Sequence, residues 1–262
     1  MGNYAELLKG AGGKKEKTEE YFNSYFTKAA FKDYKIEDGA DKGEIKALKI
    51  LFGSKKDLRT RVENALSYDP FCAEAFLVFY MLSEDVLVYN RFRIYQAEAD
   101  HYADLTYYQK LSYTRIMDLY IEFLIDISNF TQAIRIQRLM IRLNGNSEKS
   151  TNRLSFMYAT VEDSEDFYRF YLDSRFDAYD YILLLVTLLK NEERMRAQEV
   201  LADMFRNVEY APYLDHLWDL DLKDERQRNF YQIVEDSYPF VGSVPDFFVF
   251  VSEASERSYE GL

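Results

Sequence analysis

Apolar residues recur at intervals of three and four along most of this chain, the spacing that gathers them on one face of an α-helix. From Thr18, positioned to cap a helix, the apolar positions are Tyr21, Phe22, Tyr25, Phe26 and Ala29. The polar, glycine-bearing stretch 35–43 predicts a loop. A helix over 44–52 follows and stops at Gly53-Ser54. The next runs over 56–68, with Leu58, Val62, Ala65 and Leu66 turned inward. Pro70 lacks an amide hydrogen and pushes Asp69 out of helical dihedrals, so that helix ends there. A new helix starts at once and runs to Leu82, with Phe71 or Cys72 in its first turn and Phe76, Phe79 and Tyr80 along one face.

Residues 85–112 give a mixed pattern. Val86, Val88, Tyr89, Phe92 and Tyr95 suit a helix, whereas the stretch around Tyr102, Tyr107 and Tyr108 fits either a helix or a long connection. Beyond Ser112 the period sharpens. It predicts helices over 116–127 and 131–143, split by Ser128-Asn129-Phe130 and stopped at Asn144-Gly145-Asn146. Helices over 149–161, 165–172, 178–190 and 194–205 follow, with a turn at 191–193. Three more are predicted over 211–219, 223–235 and 245–256. The ends read as a mobile glycine- and lysine-rich leader (1–17) and a frayed tail (257–262), flanking one helical domain over 18–256.

The phrase Ala65-Leu66-Ser67-Tyr68-Asp69-Pro70, followed by Ala73-Glu74-Ala75-Phe76, resembles the tetratricopeptide repeat (TPR), in which a helix ends at proline before an Ala-x-Ala-aromatic opening. Two further pairs carry the pattern. Met117, Tyr120, Ile121 and Leu124 lead to Ala133 and Met140, with Gly145 closing. Tyr181, Leu184, Leu185 and Leu188 lead to Ala197, Leu201 and Met204. Residues 151–171 fit more loosely, through Leu154, Tyr158, Phe167 and Tyr171. Tyr80, Ile121 and Leu185 stand where the repeat carries a small residue. Over residues 42–210 the resemblance implies an all-α fold of antiparallel helix pairs stacked as an α-solenoid, and a protein- or peptide-binding role.

Composition agrees with a helical reading. Four prolines and ten glycines in 262 residues are few for a sandwich or barrel built on tight turns, while 20 Phe and 23 Tyr supply a large core. The net charge of -12 argues against direct nucleic-acid binding, where Lys and Arg contacts to phosphate supply most of the affinity. The single cysteine, Cys72, excludes an intrachain disulfide and fits a reducing cytoplasm. The longest apolar run, 181–189, broken by Thr187, is too short to cross a bilayer, and no signal-peptide or myristoylation pattern opens the chain.

Chemistry-bearing motifs are sparse. Gly10 to Lys15 lacks the earlier glycine and the following Ser/Thr of a phosphate-binding loop. His101 and His216 lie far apart without ligand spacing, so no metal site is expected. Cys72 reads as a packed helix-start residue. The acidic runs 162–166 and 215–225 read as solvated faces, since helix N-termini attract acids.

The sharper candidates are basic and aromatic. Arg135, Arg138 and Arg142 form one stripe on the helix 131–143, with Arg153 across the next turn, and guanidinium forks bind carboxylates. Clamps of this repeat class that seize a C-terminal carboxylate carry their cations on the first helices, where Leu77 and Met81 stand here. Tyr89, Tyr95, Tyr102, Tyr107 and Tyr108 are candidate interface anchors. The resulting expectation is a non-catalytic protein or peptide adaptor without a cofactor. Two alternatives are an intracellular regulator that receives a short peptide or a DNA-binding partner protein, and a helical enzyme or ligand domain using the acidic runs. A homo-oligomer is compatible with all three.

Overall fold

The computed structural model describes residues 15–36, 42–53 and 56–193, together with Leu7, Ala40, Met195, Arg196, Ala197, Glu199, Val200 and Asp203. Among them the secondary structure is entirely helical. The chain divides into two compact units, Met1–Ile127 and Ser128–Leu262, each with its own core. The helices expected over 211–219, 223–235 and 245–256, and the tail 257–262, lie outside the described residues.

The first unit contains α1 (Lys15–Tyr25), α2 (Ala30–Asp33), α3 (Lys42–Leu51), α4 (Leu58–Tyr68), α5 (Ala73–Leu82), α6 (Asp85–Ala97), a 3-10 helix (Glu98–Asp104) and α7 (Tyr107–Asp126). α5 is its axis, in contact with α1, α3, α4 and α7. Its sequence Ala-Glu-Ala-Phe-Leu-Val-Phe-Tyr-Met-Leu is apolar nearly all round, and a helix of that kind must be covered on all sides. Phe76, Leu77 and Val78 accordingly have no exposed surface.

Two aromatic clusters flank this axis. Phe92 stacks on Tyr120 at 4.5 Å and 14°, with Phe76 5.0 Å away. Phe26 meets Phe52 edge to face at 4.9 Å. Pro70 acts as expected: Asp69 is extended (φ -137°, ψ 105°), and its Oδ1 accepts the Phe71 amide at 2.9 Å.

Three expectations change, and one open alternative is resolved in favour of helix. α1 begins at Lys15, so Thr18 lies inside the helix and does not cap it, and within the expected leader Leu7 is helical and buried. The tyrosine-rich stretch is a 3-10 helix followed directly by α7, with no long connection. α7 starts at Tyr107, ahead of the expected position 116, because Thr106 and Gln109 form a reciprocal capping box. The Thr106 side chain accepts the Gln109 amide at 3.2 Å, and Gln109 Oε1 accepts the Thr106 amide at 3.0 Å.

The second unit contains α8 (Phe130–Asn144), α9 (Glu148–Val161), α10 (Ser164–Leu172) and α11 (Ala178–Lys190), followed by helical residues at 195–197, 199–200 and 203. α9 touches α8, α10 and α11. Each helix start is capped by a short polar side chain. Asn129 accepts from Gln132, Ser147 from Ser150 and Asp163 from Asp166. The turns pass through left-handed backbone at Ser128 (φ 57°), Gly145 (83°), Glu162 (57°) and Glu192 (59°). Only one of these is glycine, the residue that adopts this region without a Cβ penalty.

Candidate partner-binding faces

α8 buries Ala133, Ile136, Gln137 and Met140. Arg135, Arg138 and Arg142 fall on its opposite, exposed side. The stripe read from periodicity is therefore a solvent-facing row of guanidinium groups. Seven residues separate its ends, about 10 Å along the axis. Arg138 is engaged by the chain itself, its Nη1 lying 3.1 Å from Asp166 Oδ2 on α10. Arg135 and Arg142 make no ion pair among the described residues. Arg153 is half-buried on α9, and its Nη1 donates to Gln137 Oε1 at 3.3 Å, which ties it to the inner side of α8.

The acidic run 162–166 is consumed by local structure. Asp163 caps α10, and Glu162 pairs with Lys190 at 3.1 Å. Glu165 takes Arg169 at 2.9 Å and Arg196 at 2.7 Å, and Arg196 also reaches Glu193 at 2.7 Å while lying over the Tyr168 ring. The Arg196 guanidinium holds the Glu165 carboxyl below the usual carboxylate range. Beside this lattice, Tyr171 and Tyr181 both donate to Asp203 Oδ2, at 2.8 and 2.7 Å. The second acidic run, 215–225, lies outside the described residues.

The five candidate tyrosines, all in the first unit, separate by burial. Tyr95 and Tyr108 are core residues, 2% and 4% exposed, so neither ring offers a surface to a partner. Tyr95 shares a face with Val88 and Phe92, donates its hydroxyl to Pro70 O, and has its phenol pushed up to about 12 by burial. Tyr107 is 78% exposed. Tyr89 and Tyr102 are half-buried. The first lies against Tyr120 and Phe123, and the second lies against Tyr113 with the Lys110 ammonium 5.5 Å from its ring. Of the set, Tyr107 and the outer edges of Tyr89 and Tyr102 remain on the surface. On the same unit α6 turns Val86, Leu87 and Ile94 outward, each more than half exposed.

A buried polar cluster in the first unit escaped sequence reasoning. Glu74, on α5, and Glu44, on α3, are 2% and 1% exposed. Tyr34 donates its hydroxyl to Glu74 Oε1 at 2.6 Å, and Tyr108 lies near Glu44. Burial, then the Glu74 charge, pushes both phenols far above their ordinary range, so they remain protonated donors. The hydrogen bond ties Tyr34 to α5. The available signal was a lone acid, Glu74, inside an otherwise apolar helix.

Cys72 is buried, and its thiol is pushed well above its usual value by burial and by the nearby Glu74, which leaves it a packed apolar group. His101 is exposed in the 3-10 helix, and His216 lies outside the described residues. Among the described residues no group of three or more His, Cys, Asp or Glu is placed to hold a metal ion. Nor is any helix among them long and apolar enough to cross a membrane. Comparison of the chain with protein-family models, curated proteins and solved structures finds no match in any of the three.

Proposed function

We propose that this chain is a non-catalytic helical scaffold that binds a protein or peptide, in a cytoplasmic setting, through the arginine face of α8. The helices are read as tetratricopeptide-like pairs stacked as an α-solenoid. The packing of α3 with α4, α8 with α9 and α10 with α11 supports that reading, because neighbours in sequence are neighbours in space.

The observation that carries the binding role is the row Arg135, Arg138 and Arg142 on one exposed side, with two of its three guanidinium groups outside any ion pair among the described residues. Guanidinium forks engage carboxylates bidentately, so the favoured partner presents acidic side chains over about 10 Å. The whole chain is at -12, so the attraction is local, acting within about a Debye length of 8–10 Å. Affinity capture with the wild type and with a folded Arg135→Ala/Arg138→Ala/Arg142→Ala variant tests this. A stoichiometric protein retained by the wild type and lost by the variant is expected. Equal retention by both would refute the role of α8.

A further inference from the structure

α6 has two unlike faces. Val88, Phe92 and Tyr95 are buried, with the Phe92 ring 5.0 Å from Phe76 of α5 and 4.5 Å from Tyr120 of α7. The opposite face runs Val86, Leu87, Asn90, Ile94 and Ala97, steps of one, three, four and three that stay within one helical stripe. All five are exposed, Val86 at 69%, Ile94 at 56% and Leu87 at 55%. The stripe is about 16 Å long, and its apolar side chains are left to water at a cost that scales with their area.

Charge on this helix is laid out end to end. Glu84 and Asp85 stand at its start, and Arg91 and Arg93 lie in its second half. Two acids against two arginines leave residues 84–97 neutral, in a chain whose net charge is -12. A second copy approaching this segment therefore meets no net like charge on it. It meets opposite charges when the two helices run antiparallel, because in the parallel sense acid would face acid and Arg93 would face Arg93. The antiparallel sense also opposes the two macrodipoles.

We propose that the outer face of α6 is a self-association surface, on which a second copy of this chain packs its own α6 antiparallel about a two-fold axis at Asn90. The register follows from the positions. With Asn90 on the axis, Leu87 faces the second copy's Ile94, and Ile94 faces the second copy's Leu87. The Arg93 stem lies along the second copy's Val86, and its guanidinium reaches the second copy's Asp85. Asn90 meets its own counterpart, and since an amide carries both donor and acceptor the two side chains bond one another. A lone polar residue in an apolar seam fixes register, as it does in coiled coils.

The contact is isologous, so each pairing occurs twice and the same stripe serves both copies. It does not involve the α8 arginines, which belong to the second unit. A single helix face is smaller than a standard interface of about 800 Å² a side, so the dimer is reversible, with a Kd on the order of 10 µM.

Sedimentation equilibrium of the full chain, from about 1 to 300 µM, reads the association. A passage from one chain to two is expected. Ile94→Asp, a surface change checked for folding by circular dichroism, sets two charges in the seam and weakens association by more than about tenfold. Arg93→Glu and Asp85→Lys each place like charges together at both ends of the seam and weaken it about tenfold. An equimolar mixture of those two variants, in which every acid again faces a base, recovers the dimer even if either variant is slightly less stable. A chain that stays single to the top of the range would overturn the proposal, as would a dimer indifferent to Ile94→Asp. A mixture that associates no better than its components would exclude the antiparallel pairing and overturn it equally.

Discussion

Arg61 is 6% exposed in the core of the first unit, and it stands where three segments meet. Its Nη1 donates to Phe26 O at 2.8 Å and to Leu51 O at 2.7 Å, and its Nη2 to Asn23 Oδ1 at 3.2 Å. Leu51 is the last residue of α3, and Phe26 follows directly on α1, so one guanidinium from α4 satisfies carbonyls at two helix ends. Replacing it with methionine keeps a long side chain but removes every donor.

Hydrogen bonds to a charged group contribute about 1.5–3 kcal/mol each, and each buried carbonyl left without a donor costs about 1–3 kcal/mol. Against this, the variant no longer buries a charge, a relief of a few kcal/mol that offsets part of the loss. The net expectation for Arg61→Met is a destabilisation of about 2–4 kcal/mol. Lysine, a point donor without the planar fork, recovers only part of it. Urea unfolding followed by circular dichroism, with the slope compared between variants, reads the change directly. A shift of the midpoint worth less than about 1 kcal/mol at unchanged slope would refute the capping role, because ordinary surface changes fall within that range.

Further outcomes follow from the same packing. Gly145→Ala meets no atom within 4 Å, but the residue sits at φ +83°, so a loss of about 1 kcal/mol from backbone strain alone is expected in thermal unfolding. Ser128→Gly, at φ 57°, acts in the opposite direction and stabilises by a few tenths to about 1 kcal/mol. Phe92→Ala empties a position stacked on Tyr120 and beside Phe76 and costs about 3–5 kcal/mol, measurable by urea midpoint. Tyr34→Phe strips a donor from buried Glu74 and costs about 1–3 kcal/mol. The exposed Arg138–Asp166 pair contributes little, so Arg138→Ala changes stability by less than about 1 kcal/mol and reports on binding with the fold intact.

Much of the helical framework was legible because it depends on period and punctuation. The stop at Asp69-Pro70 and the exposed stripe 135–138–142 both follow from local rules that tertiary contacts do not reverse. The capping box at Thr106 and Gln109 was also present in the residues, and reading it would have placed the start of α7 correctly. Tyr95 could likewise have been assigned to the core, since it continues the face of Val88 and Phe92 by one helical step. Other features have no local signature. Glu162 and Glu192 adopt left-handed backbone although glutamate has no preference for it. The meeting of Tyr34 with Glu74, 40 residues apart, depends on packing that no spacing along the chain announces.

The binding role is tested most directly by arginine modification with phenylglyoxal, read by mass spectrometry on the free chain and on the chain with its captured partner. Arg135 and Arg142 are expected to react readily when free and to be protected in the complex, while exposed Arg93 and Arg175 keep their reactivity. Unchanged reactivity along α8, or protection confined to Arg93 or Arg175, would contradict the assignment of α8 as the partner-binding face.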